Sequence, residues 1–86
     1  MKLDVENVGP VINRLKRAQG QLAGVLRMLE DERDCADVVT QLAAVSRALD
    51  KAGFALISTG LEQCIRAGAE GALDREKLEK VFMSLA

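Results

Sequence analysis

Histidine, tryptophan and tyrosine do not occur in this chain of 86 residues, and phenylalanine occurs twice. Without His there is no imidazole general base, no His-centred nucleophile triad and no imidazole metal ligand. The scarcity of aromatics removes the platforms on which unpaired bases stack, which disfavours single-stranded nucleic acid. Proline occurs once, at position 10, and cysteine twice. No GxGxxG, P-loop or CxxC pattern is present. No run approaches 18 apolar residues, so nothing is expected to span a membrane. The opening "MKLDVENVGP" lacks the apolar core of a secretion signal. These absences argue against an enzyme, a disulfide scaffold and a membrane protein. They favour one domain over residues 1–86, in the cytoplasm, with its cysteines kept as thiols.

The remainder is helix-forming: Ala, Leu, Val, Glu, Arg and Lys dominate after Pro10. Val11, Leu15, Ala18, Leu22, Val25, Leu26 and Leu29 recur in three- and four-residue steps, which marks one apolar helix face. This predicts a first helix from Val8 or Pro10 to about Leu29, with Pro10 in its first turn. "EDERD" reads as an acidic turn. Asp34 is the expected N-cap of a second helix, with Asp37 near its positive dipole end. That helix carries Val38, Leu42, Val45, Leu49, Ala52, Leu56 and Cys64 and runs to "AGAEGALD", with a break at Gly60 possible. A third helix, capped by Asp74, places Leu78, Val81, Phe82 and Leu85 on one face. The fold expected is all-α, with three helices per protomer. A helix of 30 or so residues is ~45 Å long, too long for its apolar stripe to be covered by one short partner. Association into an antiparallel bundle follows. Gly20 and Gly24 offer a small-residue notch for close helix approach.

Cys35 and Cys64 lie 29 positions apart. On one continuous helix that is ~44 Å, far beyond the ~7 Å Cα separation a disulfide tolerates. Twenty-nine residues at ~100° each bring the two to within ~20° of the same face. An antiparallel two-fold copy would set Cys35 of one chain beside Cys64 of the other, twice per dimer. Cys35 would open the helix, where the dipole favours a thiolate and the Asp34 and Asp37 carboxylates oppose it. The plainer alternative is that each is a small core residue.

Net charge is −1, so distribution matters more than balance. "NRLKR" contains Arg14, Lys16 and Arg17 and no anion, and Arg47 and Lys51 form an i, i+4 basic pair. Gln19 and Gln21 stand close by. An ordinary solvated helix face is the common explanation for such clusters, and a helical oligomerisation module with no DNA role would need nothing more.

The run "INRLKRAQGQLAGVLRMLEDERDCADVVTQLAAVSRALDKAG", followed by "LEQC", resembles the copper-sensing operon repressor (CsoR) family of bacterial transcription factors. The likeness spans residues 11–68 without a gap. It implies an all-α three-helix protomer that forms an antiparallel four-helix-bundle dimer and then a disc-shaped dimer of dimers. It also implies a repressor, not an enzyme, that binds double-stranded operator DNA and releases it when an effector occupies the cysteine site. Arg14, Lys16, Arg17, Arg47 and Lys51 fall at positions such repressors use for DNA, with Arg14 and Lys51 the best matches. In the copper sensors Cu(I) is held by Cys, His and Cys. Here those positions are Cys35, Gly60 and Cys64, so the imidazole is missing. The nickel and cobalt branch relies on His ligands and is effectively ruled out. The formaldehyde branch uses an N-terminal proline where this chain has Lys2. A persulfide-sensing, CstR-like branch keeps both cysteines without the His and cross-links them between subunits; this is the best match. The expected effector is a per- or polysulfide and the expected cofactor none, with Cu(I) sensing through Cys35 and Cys64 as the alternative.

Overall fold

The computed structural model describes residues 1–85. Three α-helices occur in it: α1 (Val5–Glu30), α2 (Cys35–Arg66) and α3 (Ala72–Leu85), the last preceded by a 3-10 turn at Gly68–Gly71. No strand occurs among the described residues. No helix is long and apolar enough to cross a membrane.

α1 begins at Val5, earlier than the sequence suggests, so Pro10 lies inside the helix and not in its first turn. Two features permit this. Gly9 precedes the proline and has no Cβ to clash with its ring. The segment before the helix is also tied to α2: Gln63 Nε2 donates to the Lys2 carbonyl (2.8 Å), and the Asp4 amide donates to Gln63 Oε1 (3.0 Å). Tertiary anchoring thus adds a turn that local propensity would not.

α1 ends in a Schellman-type cap. The Arg33 amide donates to the Met28 carbonyl and the Glu32 amide to the Leu29 carbonyl. Glu32 takes the left-handed conformation, φ 55°, which the chirality of an L-residue disfavours. Asp34 then caps α2, its carboxylate accepting from the Ala36 amide at 3.1 Å. α2 runs 32 residues without a break at Gly60 and stops where Gly68 turns left-handed at φ 65°. Asp74 does not cap α3. It sits within that helix's first turn, and its carboxylate faces the Met1 amine at 3.5 Å. The cap expectation fails because α3 continues directly from the 3-10 turn and starts at Ala72, three residues before the Arg75 that a cap at Asp74 would place first.

The hairpin core follows a heptad. Val11, Ala18 and Val25 on α1 are buried, as are Val38, Val45 and Ala52 on α2. Because the helices run in opposite directions, the order reverses, and Val25, Val38 and Val45 form one cluster with Met28 packed on it. The rest of the apolar stripe is uncovered: Leu15, Leu22, Leu26, Leu29, Leu42 and Leu49 are all exposed. A Cβ on Gly20 would meet nothing within 4 Å, so the glycine notch is unused inside the protomer. The slab measures 54 × 26 × 13 Å. Its thinnest dimension is about one helix diameter, which is why half of each apolar stripe has nothing to pack on. α3 returns across the far half of α2, where Phe54 and Phe82 meet edge to face at 5.7 Å.

Candidate functional site

Two places on the hairpin carry chemistry. The first is a cleft of about 220 Å³ between α1 and α2, lined by Arg14, Arg17, Gln21, Arg47 and Lys51 over a floor of Ala18, Ala44 and Ala48. Small residues along the seam let the backbones approach, so the long cationic side chains stand on both rims. The ion pairs among the described residues are Met1–Asp74 and Arg75–Glu79, so no carboxylate neutralises this cleft. Four cations from two helices converge here. Lys16 does not join them. It is two residues from Arg14, ~200° around the helix, and does not line the cleft. Gln21 does join, and Gln19 does not. Helical phase alone carries that signal for all three.

The second place is the thiol pair. Cys35 is the first residue of α2 and exposed; Cys64 is near its end and 1% exposed. One unbroken helix separates them by ~44 Å, so they do not meet within a chain. Three neighbours close over Cys64. The Met1 residue is 52% exposed overall, its exposure concentrated on the terminal backbone, while its side chain is 15% exposed and lies across Cys64, the Cys64 thiol donating to Met1 Sδ at 3.4 Å. Gly71 presses on its backbone so tightly that an added Cβ would collide with the Cys64 carbonyl. Gly60, one turn back, is roofed by Leu78 and Leu3. The surroundings of Cys64 are therefore sulfur, hydrocarbon and backbone. Nothing in the sequence pattern points to Met1 in this role. Its place follows from the Gln63 clamp, which links residues about sixty positions apart and leaves no local signature.

No group of three or more His, Cys, Asp or Glu side chains suited to a metal occurs among the described residues of one chain. A Cu(I) site would need sulfur from both thiols, and position 60 has no side chain to contribute.

A family model described as metal-sensitive transcriptional repressor matches residues 9–85. The copper-sensing transcriptional repressor RicR of Mycobacterium tuberculosis is 44% identical over 59 residues, which cover 67% of this chain and 62% of that protein. The copper-sensing transcriptional repressor CsoR of Mycobacterium ulcerans is 45% identical over 56 residues, covering 65% of this chain and 48% of that one. The chain thus spans about half to three-fifths of these curated relatives. Among solved structures, the copper-sensing repressor CsoR with Cu(I) from Geobacillus thermodenitrificans NG80-2 aligns at TM-score 0.77 with 31% identity, covering 98% of this chain and 91% of that chain. The nickel-responsive transcriptional regulator InrS aligns at TM-score 0.72 with 30% identity, covering 100% and 97%.

Proposed function

The chain belongs to the family of metal-sensitive transcriptional repressors, and on that premise we propose that it is a cytoplasmic repressor of double-stranded operator DNA that senses per- or polysulfide through Cys35 and Cys64 of opposite subunits. The observation that carries the effector is position 60. Glycine stands there beneath Leu78 and Leu3, which leaves two thiols, no imidazole and an apolar wall.

The chemistry needs only those thiols and the effector. The Cys35 thiolate, exposed, attacks the outer sulfur of a persulfide RSSH. The RS–S bond breaks, RS⁻ leaves, and Cys35 becomes Cys35–S–SH. The Cys64 thiolate of the other subunit then attacks Cys35 Sγ itself, breaking its bond to the outer sulfur. HS⁻ leaves, and a Cys35–Cys64 disulfide joins the chains. Two thiols are oxidised and one sulfane sulfur is reduced to sulfide. Attack on a longer polysulfide retains extra sulfur atoms in the bridge and extends its reach. Burial of Cys64 fits the second, resolving role, because Met1 must move aside before it reacts.

Association supplies the geometry. The exposed leucines of α1 and α2 form the surface on which a second antiparallel hairpin would complete a four-helix bundle, and pairs of such dimers would form the tetramer. Arg14, Arg17, Arg47 and Lys51 would contact phosphates, repeated in each subunit, with Lys16 on a separate face. Contacts of this kind give steep salt dependence.

Polysulfide treatment should produce a cross-linked dimer on a non-reducing gel and release operator DNA together. Cross-linking with unchanged operator affinity would refute the reading.

A second reading, Cu(I) sensing, is favoured by the copper-sensing relatives and by the softness of the sulfur donors. Cys35 and Cys64 of opposite subunits would hold the ion, and the ion would supply a cross-subunit link without oxidation. Stoichiometric Cu(I) retained against a strong chelator, with loss of DNA, would decide for it.

A further inference from the structure

We propose that the Met1 thioether is a third sulfur ligand for Cu(I), standing where Gly60 offers none; this rests on the copper reading above. Three observations carry it. Met1 Sδ lies 3.4 Å from Cys64 Sγ. A thiolate–metal bond is about 2.3 Å for a first-row ion, so both sulfurs can reach one cation. The thiol proton of Cys64 points at the thioether, and a soft cation that displaces this proton is met by lone pairs of both. Softness restricts the choice of ion: thiolate and thioether together select Cu(I) over harder divalent ions.

The thioether is also held in place. Gln63, next to Cys64 in sequence, grips the segment behind Met1 from both sides, through the Lys2 carbonyl and the Asp4 amide. Asp74 faces the Met1 amine. The Met1 side chain is mostly covered although it lies outside any helix. Gln63 is the positioning residue of the site.

Selenium provides a direct readout. A chain with Met28→Leu and Met83→Leu, swaps of conserved volume, is grown on selenomethionine so that selenium occupies position 1 alone. Intact mass verifies its presence. One equivalent of Cu(I) is added without oxygen, and absorption is recorded at the selenium and copper edges. The expected result is copper at bonding distance from selenium, together with sulfur around copper. Gln63→Leu should abolish the selenium–copper signal and weaken Cu(I) retention about tenfold, or 1.4 kcal/mol. Copper bound by sulfur with none near selenium would overturn the proposal and leave the copper reading standing. Failure to retain Cu(I) against a chelator would overturn both.

Discussion

Gly60 and Leu78 interlock: a Cβ at position 60 would stand 3.0 Å from Leu78 Cδ1. The leucine on α3 fills the volume that a side chain at position 60 of α2 would otherwise occupy. Gly60→His alone should therefore fit poorly. Combined with Leu78→Ala, it should raise Cu(I) affinity at least about tenfold over Leu78→Ala alone, measured by competition with a chelator. Equal affinity in the two chains would separate position 60 from metal binding.

Gly71 sets the distance between the 3-10 turn and α2. Its missing Cβ would collide with the Cys64 carbonyl and lie 2.9 Å from the carbonyl carbon and Cα. Backbone atoms cannot rotate away as a side-chain tip can. Gly71→Ala should lose about 1–2 kcal/mol, the overpacking penalty outweighing the gain in chain stiffness. Thermal melting reads the loss. Alkylation of Cys64 should quicken as its cover loosens, while that of Cys35 holds steady.

Glu32 takes a left-handed conformation at an exposed turn. Its side chain makes no hydrogen bond or ion pair among the described residues. Glu32→Gly should stabilise the chain by about 0.5–1 kcal/mol, because glycine adopts this conformation without a steric cost. The urea midpoint should rise with an unchanged slope.

The cationic cleft makes a graded prediction. Arg14→Ala, Arg47→Ala and Lys51→Ala should each weaken operator binding and flatten its dependence on salt, by roughly one unit of log slope for each phosphate left without its cation. Lys16→Ala should have a smaller effect, since Lys16 lies outside the cleft. Electrophoretic shifts across a salt series distinguish the two. Equal losses at all four positions would mean that charge alone, not the cleft, drives binding.

Leu22 and Leu49 are 43% and 47% exposed in the protomer. If they face a second hairpin, Leu22→Asp or Leu49→Asp should shift sedimentation toward a single chain and lower helix content at micromolar concentration. A charge placed on solvent-facing leucines would change neither.

Much of the molecule is legible in its sequence. Asp34 as a cap and the acidic turn follow from local chemistry, and the structure has them. Of the apolar faces read in three- and four-residue steps, the protomer buries only Val11, Ala18, Val25, Val38, Val45, Ala52 and Cys64, and it leaves Leu15, Leu22, Leu26, Leu29, Leu42 and Leu49 exposed. The separation of the two thiols along one helix follows from counting residues. What local reading misses depends on distant residues. The early start of α1 past Pro10 needs Gln63. The cover over Cys64 needs Met1. The course of α3 from the 3-10 turn, not a cap at Asp74, decides where that helix begins. Helical phase sets Lys16 apart from Arg14, and grouping by sequence proximity obscures it.

Arg47 and Lys51 lie almost midway along α2 between its two thiols, ~20 Å from either. A beam clamped at one end and loaded at its centre responds equally to a clamp at the other. In a two-fold assembly each beam would be clamped at both tips by separate events. Occupancy of one thiol pair and of both should then leave distinguishable affinities for DNA, so that the protein registers effector dose in steps.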